Sequence, residues 1–364
     1  MAEFLTELNM GPQHPCTHGV LRIALKLSGE TVVQATPDIG YLHRGIEKLA
    51  ESWSYTHIQI LADRIDYLSP MNCEQAYCMA VEKLMGIEVP ERAEYIRVIM
   101  AELQRLCSHL VWWGVFGLDM GAVTPFLYGL REREAALDLF EAVAGARMTV
   151  NYMRPGGVRN DLTPDFGARV TALVAQFRKA FAEYNTLLSG NPILQGRLKG
   201  VAVLSPEDAI SFGCSGGPLR GSGVNWDVRK NKPYSVYDRF DFDVPLGTAG
   251  DCWDRYIVKV REMSQSLRII EQAMAGIPEG PVMAKVPRVL KPPAGEAFVS
   301  VEAPRGEVSI YLVSDGGTSP YKMHFRSPTF VHLQLVPFLA PGLKIADLVA
   351  LTAGLDIVLG EVDR

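Results

Sequence analysis

The beginning of the chain alternates between apolar and polar side chains, which is the period of a β-strand with one buried face. The alternation covers residues 19–36 and is interrupted at Ser28-Gly29-Glu30, so it predicts a β-hairpin. A second hairpin is predicted where apolar stretches at residues 297–302 and 308–313 flank Pro304-Arg305-Gly306. The pattern therefore indicates a small β-element near each end of the chain.

Helical spacing dominates between these two hairpins. From residue 44 to about residue 190, apolar side chains recur at three- and four-residue steps. Another long helix is predicted to begin after Asp251, a good N-cap residue, and to end near Gly276, just before Pro278. These stripes of apolar residues indicate buried helix faces and hence a helical core.

The remaining segments are shorter. Residues 214–245 are rich in Gly, Asn, Asp and Pro and are predicted to form an ordered loop. Short helices are predicted from about Phe330 and from Ile345, followed by a tail at residues 356–364. The predicted fold class is mainly α with small β-elements (α+β). We expect one domain of four regions: an N-terminal hairpin region (1–43), a helical core (44–290), a second hairpin region (294–326), and C-terminal helices with a tail (327–364).

The composition of the chain excludes some classes of function and favours a reducing compartment. The 364 residues are 48% hydrophobic and 21% charged, with a formal net charge of −5. The chain can therefore bury a large core, and it lacks the basic stretch that a nucleic-acid partner would require. Six cysteines are scattered without a C-x-x-C pair, which favours free thiols in a reducing compartment.

Neither a signal peptide nor a membrane span is expected. The first ten residues carry Glu3 and Glu7 and lack a basic segment followed by an apolar one. The most apolar window, residues 110–130, contains Asp119 and Pro125 and is better explained by a buried helix and turn. Work at a membrane would therefore require partner subunits that hold the chain there.

Two histidines four residues apart, His14 and His18, are the first candidates for chemistry. On a helix this spacing would place both rings on one face, as in zinc proteases, but Pro12, Pro15 and Gly19 disfavour a helix here and no glutamate follows His14. A loop could instead present one histidine into a cavity as a hydrogen-bond donor and proton carrier. Two structural histidines remain the plainer alternative.

Two further segments contain ionisable residues next to apolar ones. In residues 63–70, Tyr67 can donate a phenolic hydrogen bond and Arg64 offers a fixed cation, although a helix terminus with surface charges is also compatible. Asp119 lies in an apolar stretch, where a carboxylate must find a partner or take up a proton. A cap of the following turn is the competing interpretation for Asp119.

The glycine-rich segment at residues 215–223 does not match a nucleotide-binding loop. It fits neither the Walker A spacing nor a strand–GxGxxG–helix unit, so a rigid packing loop is the preferred interpretation. No Ser-His-Asp or Cys-His arrangement can be assigned from a local motif.

Taken together, segments along the whole chain closely resemble the D, or 49-kDa, subunits of respiratory complex I, the proton-pumping NADH:quinone oxidoreductase. The segments that carry the resemblance, in chain order, are GPQHPCTHGVLR (11–22), IGYLHRGIEK (39–48), DRIDYL (63–68), LDMGAVTPF (118–126), REREAALDLFE (131–141), YMRPGGV (152–158), GSGVNWDVRK (221–230), VSDGGTSPY (313–321) and GEVDR (360–364).

That family is similar to the large subunit of nickel-iron hydrogenases, so the resemblance implies a hydrogenase-like helical core. Hydrogenases hold their metal through four thiolates in two motifs, and here those four positions carry other residues. They are Asp66, Ser69, Val358 and Glu361. Because such a centre needs soft ligands, the resemblance implies no metal in this chain and a quinone cavity in the vacated space.

The resemblance also implies roles for individual residues. His18 and Tyr67 match the pair that binds the quinone headgroup and donates hydrogen bonds to its oxygens, and Asp119 matches the acid that pairs with this histidine. Arg64 matches an arginine beside the terminal 4Fe–4S cluster, which belongs to a neighbouring subunit. No cofactor is expected on this chain alone, and quinone is the expected substrate.

The sequence departs from the family pattern at two positions. Thr149 replaces a histidine that makes the potential of the neighbouring cluster pH-dependent, which favours a cluster of lower, less pH-sensitive potential and a low-potential quinone such as menaquinone. Cys16 stands where the family usually has serine, and no role is assigned to it.

The expected partners are the B subunit, which bears the cluster, the C subunit and the membrane-arm subunits of complex I. They would hold the chain peripherally on the cytoplasmic, or matrix, side of an energy-converting inner membrane. Two alternatives remain open at this stage: the same protein in a relative fed by reduced coenzyme F420 or ferredoxin, and a scaffold whose pocket is inert. A soluble helical enzyme that works alone is a third, but we expect the isolated chain to have no quinone reductase activity.

Overall fold

The computed structural model describes residues 5–14 and 17–364. The chain is 51% helical with about 14% strand, which confirms the mainly α, mixed α+β fold class. Cys16 lies outside the described residues. The helices are α1 (Ile46–Ala50), α2 (Tyr55–Ala62), α3 (Pro70–Met85), α4 (Glu91–Asp119), α5 (Thr124–Ala144), α6 (Phe166–Tyr184), α7 (Pro192–Leu198), α8 (Pro206–Ser211), α9 (Gly216–Gly221), α10 (Val228–Asn231), α11 (Cys252–Gly276), α12 (Pro328–Leu333), α13 (Leu335–Leu339), α14 (Ile345–Leu355) and α15 (Leu359–Asp363).

The strands form three small antiparallel sheets in the described part of the chain. They are β1 (Thr6–Met10), β2 (Arg22–Ser28), β3 (Thr31–Asp38), β4 (Met153–Arg154), β5 (Gly157–Val158), β6 (Gly295–Ala303), β7 (Gly306–Ser314) and β8 (Lys322–Arg326). The sheet orders are β1-β2-β3, β4-β5 and β6-β7-β8.

Both predicted hairpins are confirmed, and each gains a strand that the sequence pattern missed. In the first, Ser28 pairs with Thr31 across a two-residue turn, and Gly29 adopts the positive φ of 60° that such a turn requires. The added strands are β1 and β8. They are short edge strands of mixed composition, so their alternation is too weak to stand out.

The core is built around α4, which packs against α5, α11 and α14. Its middle is buried on every side, from Ile96 to Leu110. The predicted helix at the Asp251 N-cap is confirmed as α11, because the Asp251 side chain accepts a hydrogen bond of 2.8 Å from the backbone N–H of Asp254. No helix in the described residues has the length and apolar character needed to cross a membrane.

Two predictions of irregular structure were wrong. The stretch predicted as a loop at residues 214–245 contains α9, α10 and a 3₁₀ turn. Gly216 has a φ of 61°, and a Cβ there would lie 2.3 Å from the carbonyl oxygen of Arg305, so this glycine permits close contact with the β6–β7 turn. The predicted tail at residues 356–364 is buried and contains α15, because it packs beneath α12.

Candidate functional site

A cavity of about 260 Å³ lies where four separate parts of the chain meet. These are the turn before β2, the α2–α3 connection, the C-terminal half of α4 and the α14–α15 connection. Its lining is apolar apart from a few polar side chains, as in a site that binds a largely apolar ligand. The lining residues are His18, Tyr67, Leu68, Val111, Trp112, Val115, Asp356, Ile357 and Val358.

His18 reaches the cavity from a tight turn, where its backbone φ is 52°. Its Nε2 lies 2.5 Å from Oδ2 of Asp119, the last residue of α4. The Asp119 side chain is only 4% exposed and that of His18 is 14% exposed, so the pair is largely shielded from water. Asp119 therefore serves as the partner of His18 rather than as a cap of the following turn.

Tyr67 is the second polar residue at the cavity that the sequence singled out. Burial raises the pKa of its phenol, while the positive charge of Arg305 opposes the shift and the negative charge of Asp66 adds to it. A Cβ built on Gly360 would lie 3.2 Å from the Tyr67 ring, so the ring rests directly on the backbone of α15. The phenol is therefore protonated at neutral pH and fixed in position.

Arg44 joins the two segments that hold this tyrosine. Its Nη1 donates a hydrogen bond of 2.8 Å to the carbonyl oxygen of Arg64, and its Nη2 donates one of 3.0 Å to that of Gly360. One guanidinium thus ties the α2–α3 connection to α15. This role of Arg44 could not be predicted from the sequence, because a single arginine in a loop has no pattern that marks it as a link between two segments.

Of the four positions that correspond to hydrogenase thiolates, Asp66 and Glu361 lie near the buried guanidinium of Arg305, and Ser69 binds a neighbouring side chain. Asp66 Oδ2 accepts a hydrogen bond of 2.5 Å from Nη1 of Arg305, and both side chains are fully buried. The Ser69 hydroxyl accepts a hydrogen bond of 2.6 Å from Asn72. Glu361 is buried and accepts a hydrogen bond from the Thr329 hydroxyl.

The fourth position, Val358, lines the cavity next to Asp356. Asp356 forms a buried ion pair with Lys259 of α11, and Arg305 Nε lies 3.7 Å from its Oδ1. Burial alone would raise the pKa of Asp356, but Arg305 and Lys259 together lower it to about 2. Asp356 is therefore a carboxylate, and its charge is balanced inside the protein.

The arginine and lysine of this arrangement were not identified from the sequence. Arg305 occupies the two-residue turn between β6 and β7, a place where charged residues are normally exposed. Lys259 lies on α11 with its Nζ 4.5 Å from the centre of the Trp112 ring. No local signal distinguishes either of them from a surface cation.

In the described part of the chain, no group of three or more His, Cys, Asp or Glu residues is arranged to hold a metal ion.

Arg64 does not line the cavity. Its side chain is 45% exposed, and its guanidinium pairs with Asp63, which is buried. Asp63 also accepts a hydrogen bond of 2.9 Å from Asn151, so the segment that contains Thr149 lies beside the Arg64 segment. Thr149 itself has a φ of 46°, which is unusual for a β-branched residue.

Comparison with known proteins identifies the same family as the sequence motifs. Residues 119–364 match the family described as respiratory-chain NADH dehydrogenase, 49 Kd subunit. The chain belongs to this family. It is 54% identical over 357 residues to the D subunits of NADH-quinone oxidoreductase from Bacillus cereus and Bacillus anthracis, covering 98% of each chain. It is 55% identical over 361 residues to the D subunit from Desulforamulus reducens, covering 99% of this chain and 98% of the relative.

As a member of the 49-kDa family, the chain is one component of an oxidoreductase complex and has further subunits as partners. The structure brings together three of the four residues selected from the sequence: His18 and Tyr67 at one cavity, and Asp119 in contact with His18. The fourth, Arg64, lies on the surface one residue before Ile65, whose carbonyl contacts α15.

Proposed function

We propose that this chain forms the quinone-binding cavity of a proton-translocating NADH:quinone oxidoreductase. The observation that carries the proposal is the shared cavity of His18 and Tyr67, with His18 held by the shielded carboxylate of Asp119. The apolar lining suits the ring and tail of a quinone, and the donors on His18 and Tyr67 suit its carbonyl oxygens.

The chemistry assigns a role to each residue. Reducing a quinone to a quinol takes two electrons and two protons, and His18 and Tyr67 are donors that can supply protons and stabilise negative charge on the oxygens. Asp119 fixes the orientation and the tautomer of the His18 ring through its hydrogen bond to Nε2. Val111, Trp112 and the neighbouring apolar residues exclude water from the headgroup.

Electrons would come from a 4Fe–4S cluster in the neighbouring B subunit. Arg64 supports this arrangement because its side chain, although paired with Asp63, is partly exposed and can face an interface, and a cation beside a cluster favours its reduced, more negative form. The C subunit and the membrane-arm subunits would complete the assembly and hold this chain on the cytoplasmic, or matrix, face of the membrane.

Thr149 supports a low-potential quinone such as menaquinone as the substrate. Threonine cannot take up a proton near neutral pH, so the cluster beside this segment would lack a titrating neighbour at this position. A redox titration of that cluster in the purified complex should give a midpoint potential with little pH dependence. A strong pH slope would contradict this part of the proposal.

Substitutions at the two donors test the central claim in the assembled, membrane-bound complex. Tyr67→Phe and His18→Ala should each lower NADH-driven quinone reduction by about 100-fold or more, since they remove a proton donor. Electron transfer from NADH to ferricyanide, which bypasses the quinone site, should be unchanged. Tyr77→Phe is the matched control, because it removes a buried phenol that donates a 2.6 Å hydrogen bond to the carbonyl oxygen of Tyr55 and does not line the cavity.

Two outcomes would favour the rival functions. Unchanged quinone reduction in both variants of an intact complex would indicate a scaffold with an inert pocket. A purified assembly without flavin- and NADH-binding subunits would indicate a relative fed by reduced coenzyme F420 or ferredoxin, with the same quinone cavity.

A further inference from the structure

Five buried charged residues form a cluster next to Tyr67. Asp66 pairs with Arg305, and Asp356 pairs with Lys259 and lies near Arg305. The third acid, Glu361, makes no ion pair with any described residue, although it is completely buried. We refer to these five residues as the Asp66–Glu361 cluster.

Charge balance decides which acid of the cluster carries a proton. If all three acids were ionised, the two cations would leave one negative charge uncompensated in the interior, which is energetically costly. Asp66 and Asp356 each have a cation within ion-pair distance, whereas Oε2 of Glu361 accepts from the Thr329 hydroxyl and Oε1 has no hydrogen-bond partner in the described chain. Glu361 is therefore the acid that is neutral.

Electrostatics within the cluster agrees with this assignment. Burial, together with the negative charge of Asp66, raises the pKa of Glu361 to about 8, against the opposing effects of Arg305 and Thr329. Burial also raises the pKa of Asp66, but the adjacent Arg305 opposes that shift, whereas Glu361 has no cation of the described chain within ion-pair distance.

The titratable or charged groups near Glu361 include Asp66, Tyr67, Cys73, Arg305 and Asp356 in the described part of the chain. The guanidinium of Arg44 binds the carbonyl oxygen of the preceding residue, Gly360.

Glu361 is also close to Tyr67. Its neighbour Gly360 supports the Tyr67 ring, and a charge on Glu361 raises the pKa of the Tyr67 phenol. Arg305 lies near the same phenol, and its Nε and Nη2 have no hydrogen-bond partner among the described residues. A negative charge formed at Tyr67 would thus find an available guanidinium, with a protonated carboxyl nearby.

We propose that Glu361 stores the proton that restores Tyr67 after the phenol has protonated the reduced quinone. The proposal rests on the function proposed above, and Glu361 acts through Tyr67 without touching the substrate. In this step the quinone takes up two electrons, which the function proposed above assigns to the partner's iron–sulfur cluster, and it takes one of its two protons from His18. The Tyr67 O–H bond breaks as its proton moves to a quinone oxygen, and the Glu361 O–H bond then breaks as its proton returns the phenol to its neutral form.

The carboxylate left on Glu361 takes a proton from water between turnovers. The three residues that follow it in the chain line a second cavity, of about 410 Å³. They are Val362, Asp363 and Arg364.

A pH profile of the unaltered complex is the first test. Because the protonated form of Glu361 is the active one, quinone reduction should fall as the pH rises through about 8, while ferricyanide reduction should not. Glu361→Gln keeps the shape of the neutral acid but cannot release a proton, so quinone reduction should drop by about tenfold or more and lose its dependence on pH in this range. A rate and profile like those of the unaltered complex would overturn the proposal.

Thr329→Val provides a second variant that keeps the acid. Removing the hydroxyl takes away a hydrogen bond that favours the ionised form, so the high-pH fall in activity should move to higher pH. If Glu361→Gln does not assemble, this variant decides the matter, and an unmoved profile would overturn the proposal.

The same measurements separate this proposal from the function on which it rests. Loss of activity in Tyr67→Phe together with normal activity in Glu361→Gln would remove only the proton-storing role of Glu361. Normal activity in Tyr67→Phe would remove both.

Discussion

Replacing Gly360 with alanine would move the surface on which the Tyr67 ring rests. A Cβ at this position would lie 2.5 Å from the carbonyl oxygen of Ile65 and 3.2 Å from two carbons of the Tyr67 ring. A relaxed carbon–oxygen contact is about 3.3 Å, so α15 and the segment that carries Tyr67 would have to separate by about 0.8 Å. The contact is with backbone, which cannot rotate away.

Two effects of Gly360→Ala follow from this displacement. Overpacking at a buried contact destabilises a protein by about 1–3 kcal/mol, which should lower the thermal unfolding temperature of the complex. A catalytic group misplaced by about an ångström can lose up to about 100-fold in rate, so quinone reduction should fall by about ten- to 100-fold. The assay is NADH-driven quinone reduction by the assembled complex, normalised to ferricyanide reduction.

Gly354→Ala is the control for a glycine-to-alanine change nearby. Gly354 lies in α14, where an added Cβ would meet only Nε of Arg255, at an ordinary distance of 3.6 Å. This variant should keep normal activity and gain up to about 1 kcal/mol of stability, because alanine is the better helix former. Normal quinone reduction in Gly360→Ala would refute the argument that this glycine positions Tyr67.

Three further predictions concern stability. Arg305→Met leaves the buried carboxylate of Asp66 without its cation, so calorimetry should show a loss of about 3–5 kcal/mol, and an unchanged unfolding temperature would contradict the buried pair. Thr149→Asn should stabilise the protein by about 1 kcal/mol in thermal unfolding, since asparagine tolerates the positive φ better; a loss of stability would count against this. Burial lowers the pKa of His332 to about 3, so this residue stays neutral in the folded protein while the unfolded chain binds a proton below about pH 6.5. Stability should therefore decrease as the pH falls from about 6.5 to 3, by up to about 1.4 kcal/mol per pH unit from this residue, and His332→Gln should flatten the curve measured by denaturation at each pH.

Elements with strong local signals were predicted correctly from the sequence. The helix α11 has an N-cap at Asp251 and a glycine and a proline at its end, and the first hairpin has a turn at Gly29 with regular alternation on both sides. The buried segment at residues 356–364 was mistaken for a tail, because its burial depends on α12 packing against it. Such contacts between distant segments leave no trace in local composition.

The residues of the candidate site also depend on contacts between distant segments, which local sequence patterns do not reveal. His18 and Asp119 are 101 residues apart, and only a resemblance that spans the whole chain could pair them before the structure placed them 2.5 Å apart. Arg305 and Lys259 were missed because a charged residue in a turn or on a helix is normally exposed. Their burial is explained by the acids that they face, and those acids come from other parts of the chain.

The two proposed donors hold their protons in different electrostatic settings, and this difference explains why only one of them needs a proton store. A protonated imidazole at His18 becomes neutral when it gives up its proton, and the adjacent Asp119 keeps the charge it already had. A phenol that gives up its proton becomes an anion, which is costly in a largely buried site even with Arg305 nearby. When Glu361 then gives its proton to the Tyr67 phenolate, the negative charge moves from Tyr67 to Glu361. The phenolate that could take the proton back from the reduced quinone is thereby removed. The ion pairs of Asp66 and Asp356 make this possible, since they balance the cluster's other charges and leave Glu361 as its one neutral acid.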